Sequence, residues 1–147
     1  MDWIELGLAI GDLEDAMAHD LLREQGIRSV LTVSDFPNLS FADFVWRSVP
    51  LIDGAGNSMD QLAEAVGHLA ELHAESPGVL VHCAEGKSRS VVIATLYLAA
   101  SKGWTLTEAF THVKTRRAVA DPDDNLWRLG ERFHAQRATG HGPSDSK

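Results

Sequence analysis

Cys83 and Arg89 stand six residues apart in the run His82-Cys83-Ala84-Glu85-Gly86-Lys87-Ser88-Arg89-Ser90, which is the strongest chemical signal in the chain. The run follows Val79-Leu80-Val81, short, continuous and apolar as a strand buried on both faces would be. It opens a segment, Ser88 to Lys102, in which nearly every residue is apolar or small, the pattern of a helix inside a domain. A loop between such a strand and a helix N-terminus offers unpaired backbone N–H groups and the positive end of the helix dipole, and so it can bind an anion. Gly86 lets the backbone of Ala84, Glu85, Gly86, Lys87 and Ser88 curl until successive N–H groups converge, a nest that suits the oxygens of a phosphate. At its floor Cys83 is favoured as the thiolate, the nucleophilic form. Arg89 can lay a planar fork over the loop and hold two oxygens at once. Ser90 can give its hydroxyl to the sulfur and make it a better leaving group.

The elements around this loop alternate. Asp12 caps a predicted helix from Leu13 to about Gln25, closed by Gly26. Ile27 to Val33 reads as a strand that stops at the turn-forming Ser34-Asp35-Phe36-Pro37-Asn38. Phe44 to Leu51 reads as another strand, and Asp53-Gly54-Ala55-Gly56-Asn57 as a flexible or sharply turning loop. Ser58 with Gln61 and Thr105 with Glu108 are capping-box pairs. The first opens a helix with Leu62, Val66, Leu69 and His73 inward, where His73 is a half-buried filler, and the second a helix with Leu106, Ala109, Phe110 and Val113 inward. Gly103 ends the helix between them, and Asp121-Pro122 supplies the cap and first-turn proline of a last helix to about Arg137. This alternation predicts one α/β domain, a four- or five-stranded mixed sheet with helices on both faces. Residues 1–138 form that domain, and the polar stretch 139–147, with Gly140, Gly142 and Pro143, is expected to be disordered.

Composition narrows the setting. With 147 residues, 44% hydrophobic and 23% charged, one globular core is expected. No apolar run approaches the roughly 18 residues of a membrane span, and Met1-Asp2-Trp3-Ile4-Glu5 lacks the basic patch of a secretory signal, so a cytoplasmic protein without a membrane partner is expected. A net charge of −8 repels nucleic acid. The single cysteine excludes an internal disulfide and a four-cysteine zinc site, and suits a reducing compartment. A lone cysteine is in itself usually a small buried hydrophobe; its neighbours here reverse that reading.

The run His82 to Ser90 resembles the His-Cys-x5-Arg-Ser signature of the cysteine-based protein phosphatases, the dual-specificity branch in particular. Glu5 to Gly11 is similar to the opening hairpin of that family, Val30 to Ser34 with Pro37-Asn38 to its next strand and loop, and Val49-Pro50-Leu51-Ile52-Asp53 to the segment with its general acid. The resemblance implies Cys83 as nucleophile, Arg89 as phosphate binder, Ser90 as the hydroxyl assisting breakdown of a phosphocysteine, His82 as a residue tuning the thiol through hydrogen bonds, and Asp53 as general acid. Asp60 and Asp35 are the other acids in range. It implies no cofactor and no metal, a phosphoprotein or phosphopeptide substrate bearing phosphotyrosine, phosphoserine or phosphothreonine, and a monomer. Glu85 at the rim of an anion site, Lys87 beside it, and the acidic Asp121-Pro122-Asp123-Asp124 depart from the family pattern and leave two alternatives: phosphoinositides or another non-protein phosphate ester as substrate, or a module that binds phosphate without turnover.

Overall fold

The computed structural model describes residues 1–36 and 39–145, with side chains as far as Arg137; Pro37, Asn38, Ser146 and Lys147 lie outside the described residues. Five short strands form one mixed sheet in the order β1-β2-β5-β3-β4, where β1 is Asp2–Glu5, β2 Leu8–Gly11, β3 Ser29–Thr32, β4 Val45–Ser48 and β5 Val79–His82. The β1–β2 hairpin is antiparallel and all other pairings are parallel, so β5 lies between two parallel neighbours at the centre. Every residue of β5 is buried, as its continuous apolar sequence predicts.

Alternation along β5 divides the core. Val79 and Val81 face the larger apolar cluster, built with α3 (Met59–Glu75), α4 (Arg89–Lys102), α5 (Leu106–Arg116) and α6 (Asp124–Asp145). Leu80 faces the smaller one, with Ala16 and Leu22 from the short helices α1 (Leu13–Met17) and α2 (His19–Glu24). Helices thus cover both faces. Helix α4 packs against α3, α5 and α6 as well as β2 and β5, which is why it is apolar all round. Both capping boxes form, at Ser58 with Gln61 and at Thr105 with Glu108. His73 does more than fill space, since its ring links the Tyr97 hydroxyl (2.6 Å) to the Leu6 carbonyl (2.8 Å).

Three expectations are corrected. The helix from Leu13 to Gln25 is two helices broken at Ala18 (φ −85°, ψ 66°), where the turn lets His19 pack against Phe41 and Phe44, ring centroids 5.1 and 5.6 Å away. Tertiary packing there overrides local propensity. The last helix begins later than Asp121-Pro122: Asp123 is its cap, its carboxylate accepting from the Leu126 N–H at 3.0 Å. It also runs past Thr139 as far as Asp145. Among the described residues, no helix is long and apolar enough to cross a membrane.

Candidate active site

The loop from Cys83 to Ser88 leaves the C-terminal end of β5 and enters α4. Its carbonyls are bound from outside by distant segments. Ala84 O accepts from the Leu13 N–H (3.0 Å), Lys87 O from the Asp121 N–H (2.8 Å), and Gly86 O from Arg117 Nε (2.6 Å), with Arg117 Nη2 reaching Glu85 O at 3.5 Å. With the carbonyls turned outward, the N–H groups of Ala84 to Arg89 are left with no protein acceptor among the described residues. They are free for an anion. Gly86 holds φ 67°, and a Cβ there would sit 2.7 Å from the Gly11 carbonyl oxygen and collide with the Arg117 guanidinium, so the turn needs glycine twice over.

Arg117 is the part that the sequence did not reveal. It is 5% exposed, caps the end of α5, and pairs with Asp2 at 2.7 Å while holding the loop. In the sequence it is the second of two adjacent arginines after a helix, with no signal of burial.

Cys83 lies at the floor, 2% exposed, and its sulfur is 3.1 Å from the Oγ of Ser90, which is fully buried on the first turn of α4. Arg89 anchors one end of its guanidinium through Nη1 to the Leu51 carbonyl (3.3 Å), while Nε is buried without a partner. A buried N–H of a cation costs free energy unless an acceptor arrives. An oxyanion over Cys83 is such an acceptor.

His82 reaches the nucleophile segment through the backbone carbonyl of Cys83. Its ring nitrogens bond elsewhere than to the sulfur: Nδ1 lies 3.4 Å from the Cys83 carbonyl, and Nε2 lies 2.7 Å from the Thr32 hydroxyl, which accepts from the Trp46 indole N–H at 2.9 Å. A carbonyl can only accept, so the ring carries its proton on Nδ1, and Nε2 accepts a hydrogen bond from the Thr32 hydroxyl. Burial pushes His82 down to about 4, against the opposing pull of the Cys83 carbonyl and of Asp12 and Asp15. The ring is therefore neutral near pH 7 and braces the backbone at Cys83.

A hollow of about 150 Å³ opens above the sulfur, lined by Asp53, Cys83, Ala84, Glu85, Lys87, Ser88, Arg89 and Asp121. Of the three candidate acids only Asp53 lines it. Asn57 shapes the Asp53 loop: its Oδ1 accepts from the Ile52 N–H (2.8 Å) and its Nδ2 donates to the carbonyls of Ile52 (2.7 Å) and Gly54 (3.3 Å). Lys87 and Glu85 pair at 3.4 Å on the rim, so each offsets the other's charge. Gly86, Ser90 and His82 do not line the hollow.

This combination of a mixed sheet with a central parallel strand, a strand-to-helix anion cradle and a sulfur at its floor defines the class of cysteine-based phosphatase folds. The model of the dual specificity phosphatase catalytic domain matches residues 8–130, and the chain belongs to that family. Dual specificity protein phosphatase 1 of Arabidopsis thaliana is 35% identical over 122 residues, 82% of this chain and 62% of that protein. Human dual specificity protein phosphatase 6 is 30% identical over 145 residues, 95% of this chain and 38% of that protein. The chain thus spans about three fifths and two fifths of the lengths of these relatives. The crystal structure of human DUSP28 superposes with a TM-score of 0.85 at 25% identity, covering 95% of this chain and 99% of that one.

Proposed function

We propose that the protein hydrolyses phosphate monoesters of phosphotyrosine and of phosphoserine or phosphothreonine in proteins, in two steps through a phosphocysteine. The observation that supports this most is the cradle itself, with carbonyls anchored outward, N–H groups unpaired and a partnerless Arg89 Nε around one sulfur. In the first step the Cys83 thiolate attacks phosphorus; the S–P bond forms, the ester P–O bond breaks, and Asp53 protonates the departing oxygen. Arg89 and the N–H groups of Ala84 to Ser88 hold the equatorial oxygens as charge develops. In the second step Asp53, now ionised, takes a proton from water as that water attacks phosphorus, and inorganic phosphate leaves with Cys83 restored as thiolate. The Ser90 hydroxyl donates to that sulfur as it departs. The small hollow supports a site shallow enough for short phosphoserine side chains. We take the catalytic unit as residues 1–138, acting as a cytoplasmic monomer; the net charge of −8 weighs against nucleic acid and against anionic bilayers, and the lone cysteine suits a reducing compartment.

The purified protein should release phosphate from phosphotyrosine and phosphoserine or phosphothreonine peptides in a panel that also contains phosphoinositides. Binding of phosphopeptides without phosphate release would instead support a capture module, and release from phosphoinositides alone would move the substrate class. Ser90→Ala should slow hydrolysis of the intermediate more than its formation, so rapid mixing with an aryl phosphate should show a burst of the phenol. Unchanged turnover without a burst would return Ser90 to a packing role.

A further inference from the structure

Asp121 is a wall of two cavities. One is the catalytic hollow; the other, about 390 Å³, is a groove lined by Phe110, Lys114, Pro122, Asp124 and Trp127 beside it. Phe110 and Trp127 meet edge to face with ring centroids 5.1 Å apart, and both are only partly buried, so aromatic surface is available in the groove. Two acidic residues, Asp121 and Asp124, line the same groove. Among the described residues, neither Asp121 nor Asp124 has a cationic partner within ion-pair distance, and Asp121 is fixed by its backbone N–H to Lys87 O rather than by its side chain. Lys114 is turned to the carbonyls of Ala118 and Ala120, 2.7 Å from each, and its single charge leaves the two carboxylates in excess. On the catalytic side Lys87 is paired with Glu85 at 3.4 Å, and Arg89 is turned to the Leu51 carbonyl.

We propose that this groove is a subsite for a lysine or arginine side chain lying next to the phosphorylated residue of the substrate. Its methylene stem rests on Phe110 and Trp127, as long cationic side chains do on apolar surface, and its charged head meets Asp121 and Asp124. The inference rests on the phosphatase reading, since a phosphate seated over Cys83 is what brings the neighbouring residue across Asp121. Substrates with further negative charge beside the phosphate, acidic peptides and phosphoinositides alike, are disfavoured by the same carboxylates.

The test is kcat/KM for one phosphotyrosine peptide with arginine, alanine or glutamate placed one to three residues from the phosphotyrosine on either side. We expect arginine over glutamate by about tenfold at the favoured position, shrinking as salt screens the pair. In Asp121→Asn, and separately in Asp124→Asn, the arginine-to-glutamate ratio should fall at least about threefold; a ratio within one protein is insensitive to any general loss of activity. A ratio near one at every position in the wild type, a ratio that both variants leave intact, or phosphoinositides turned over faster than the arginine peptides would overturn the subsite. Absence of turnover with every phosphate ester would instead refute the phosphatase reading on which the subsite rests.

Discussion

Cys83→Ser is expected to abolish turnover while leaving oxyanion binding in place. The cradle's N–H groups and Arg89 do not depend on sulfur, and a serine hydroxyl with no base beside it is a poor nucleophile. Activity should fall below about 10⁻³ of the wild type, a loss of more than ~4 kcal/mol of transition-state stabilisation. Calorimetric titration with inorganic phosphate or vanadate checks the second half of the expectation. A variant that is inactive and no longer binds either anion would show that the cradle had collapsed, and one that retains turnover would remove Cys83 from the chemistry.

For Asp53→Asn the expected defect depends on the leaving group. General acid catalysis is worth about 10²- to 10⁴-fold, and the larger end is expected for alkoxides leaving phosphoserine peptides, the smaller for activated phenolates. Asn keeps the shape of Asp and its tolerance of turns, so the Asn57 contacts that build the loop should survive. A plot of log kcat/KM against leaving-group pKa should therefore be steeper for the variant than for the wild type. Parallel plots, or a steeper one in Asp60→Asn or Asp35→Asn, would place the acid elsewhere.

Much of the cradle is legible in the sequence because its parts are local. A buried strand, one glycine and an apolar helix lie within consecutive residues, and those features suffice to orient N–H groups toward one point. The capping boxes at Ser58 and Thr105 are legible for the same reason, each needing only a residue and its third neighbour. The choice among acids is only half legible: Asp53, Asp60 and Asp35 are alike as residues, and the path of the loop after β4 brings Asp53, the proposed general acid, to the hollow. Arg117 is invisible. What makes it part of the site is contact with Gly86, 31 residues away, and with Asp2, 115 away. Asp-Pro is a common helix opening, yet the Asp121 N–H serves Lys87, and the capping passes to Asp123, whose own N–H is held by the Ser88 hydroxyl at 2.9 Å.

Those outward-turned carbonyls also set when the protein can become competent. Leu13 binds the loop from one end of the chain, and Arg117 and Asp121 from the other, with Asp2 holding Arg117 in turn. Closing such long loops is entropically costly and slow compared with forming a helix or a hairpin, so the cradle belongs among the last features to assemble during folding. On the ribosome, β5 and Cys83 emerge well before Arg117 and Asp121 do. A nascent chain therefore carries Cys83 before the contacts that shape the cradle around it can form, since those contacts need the segment that follows α5.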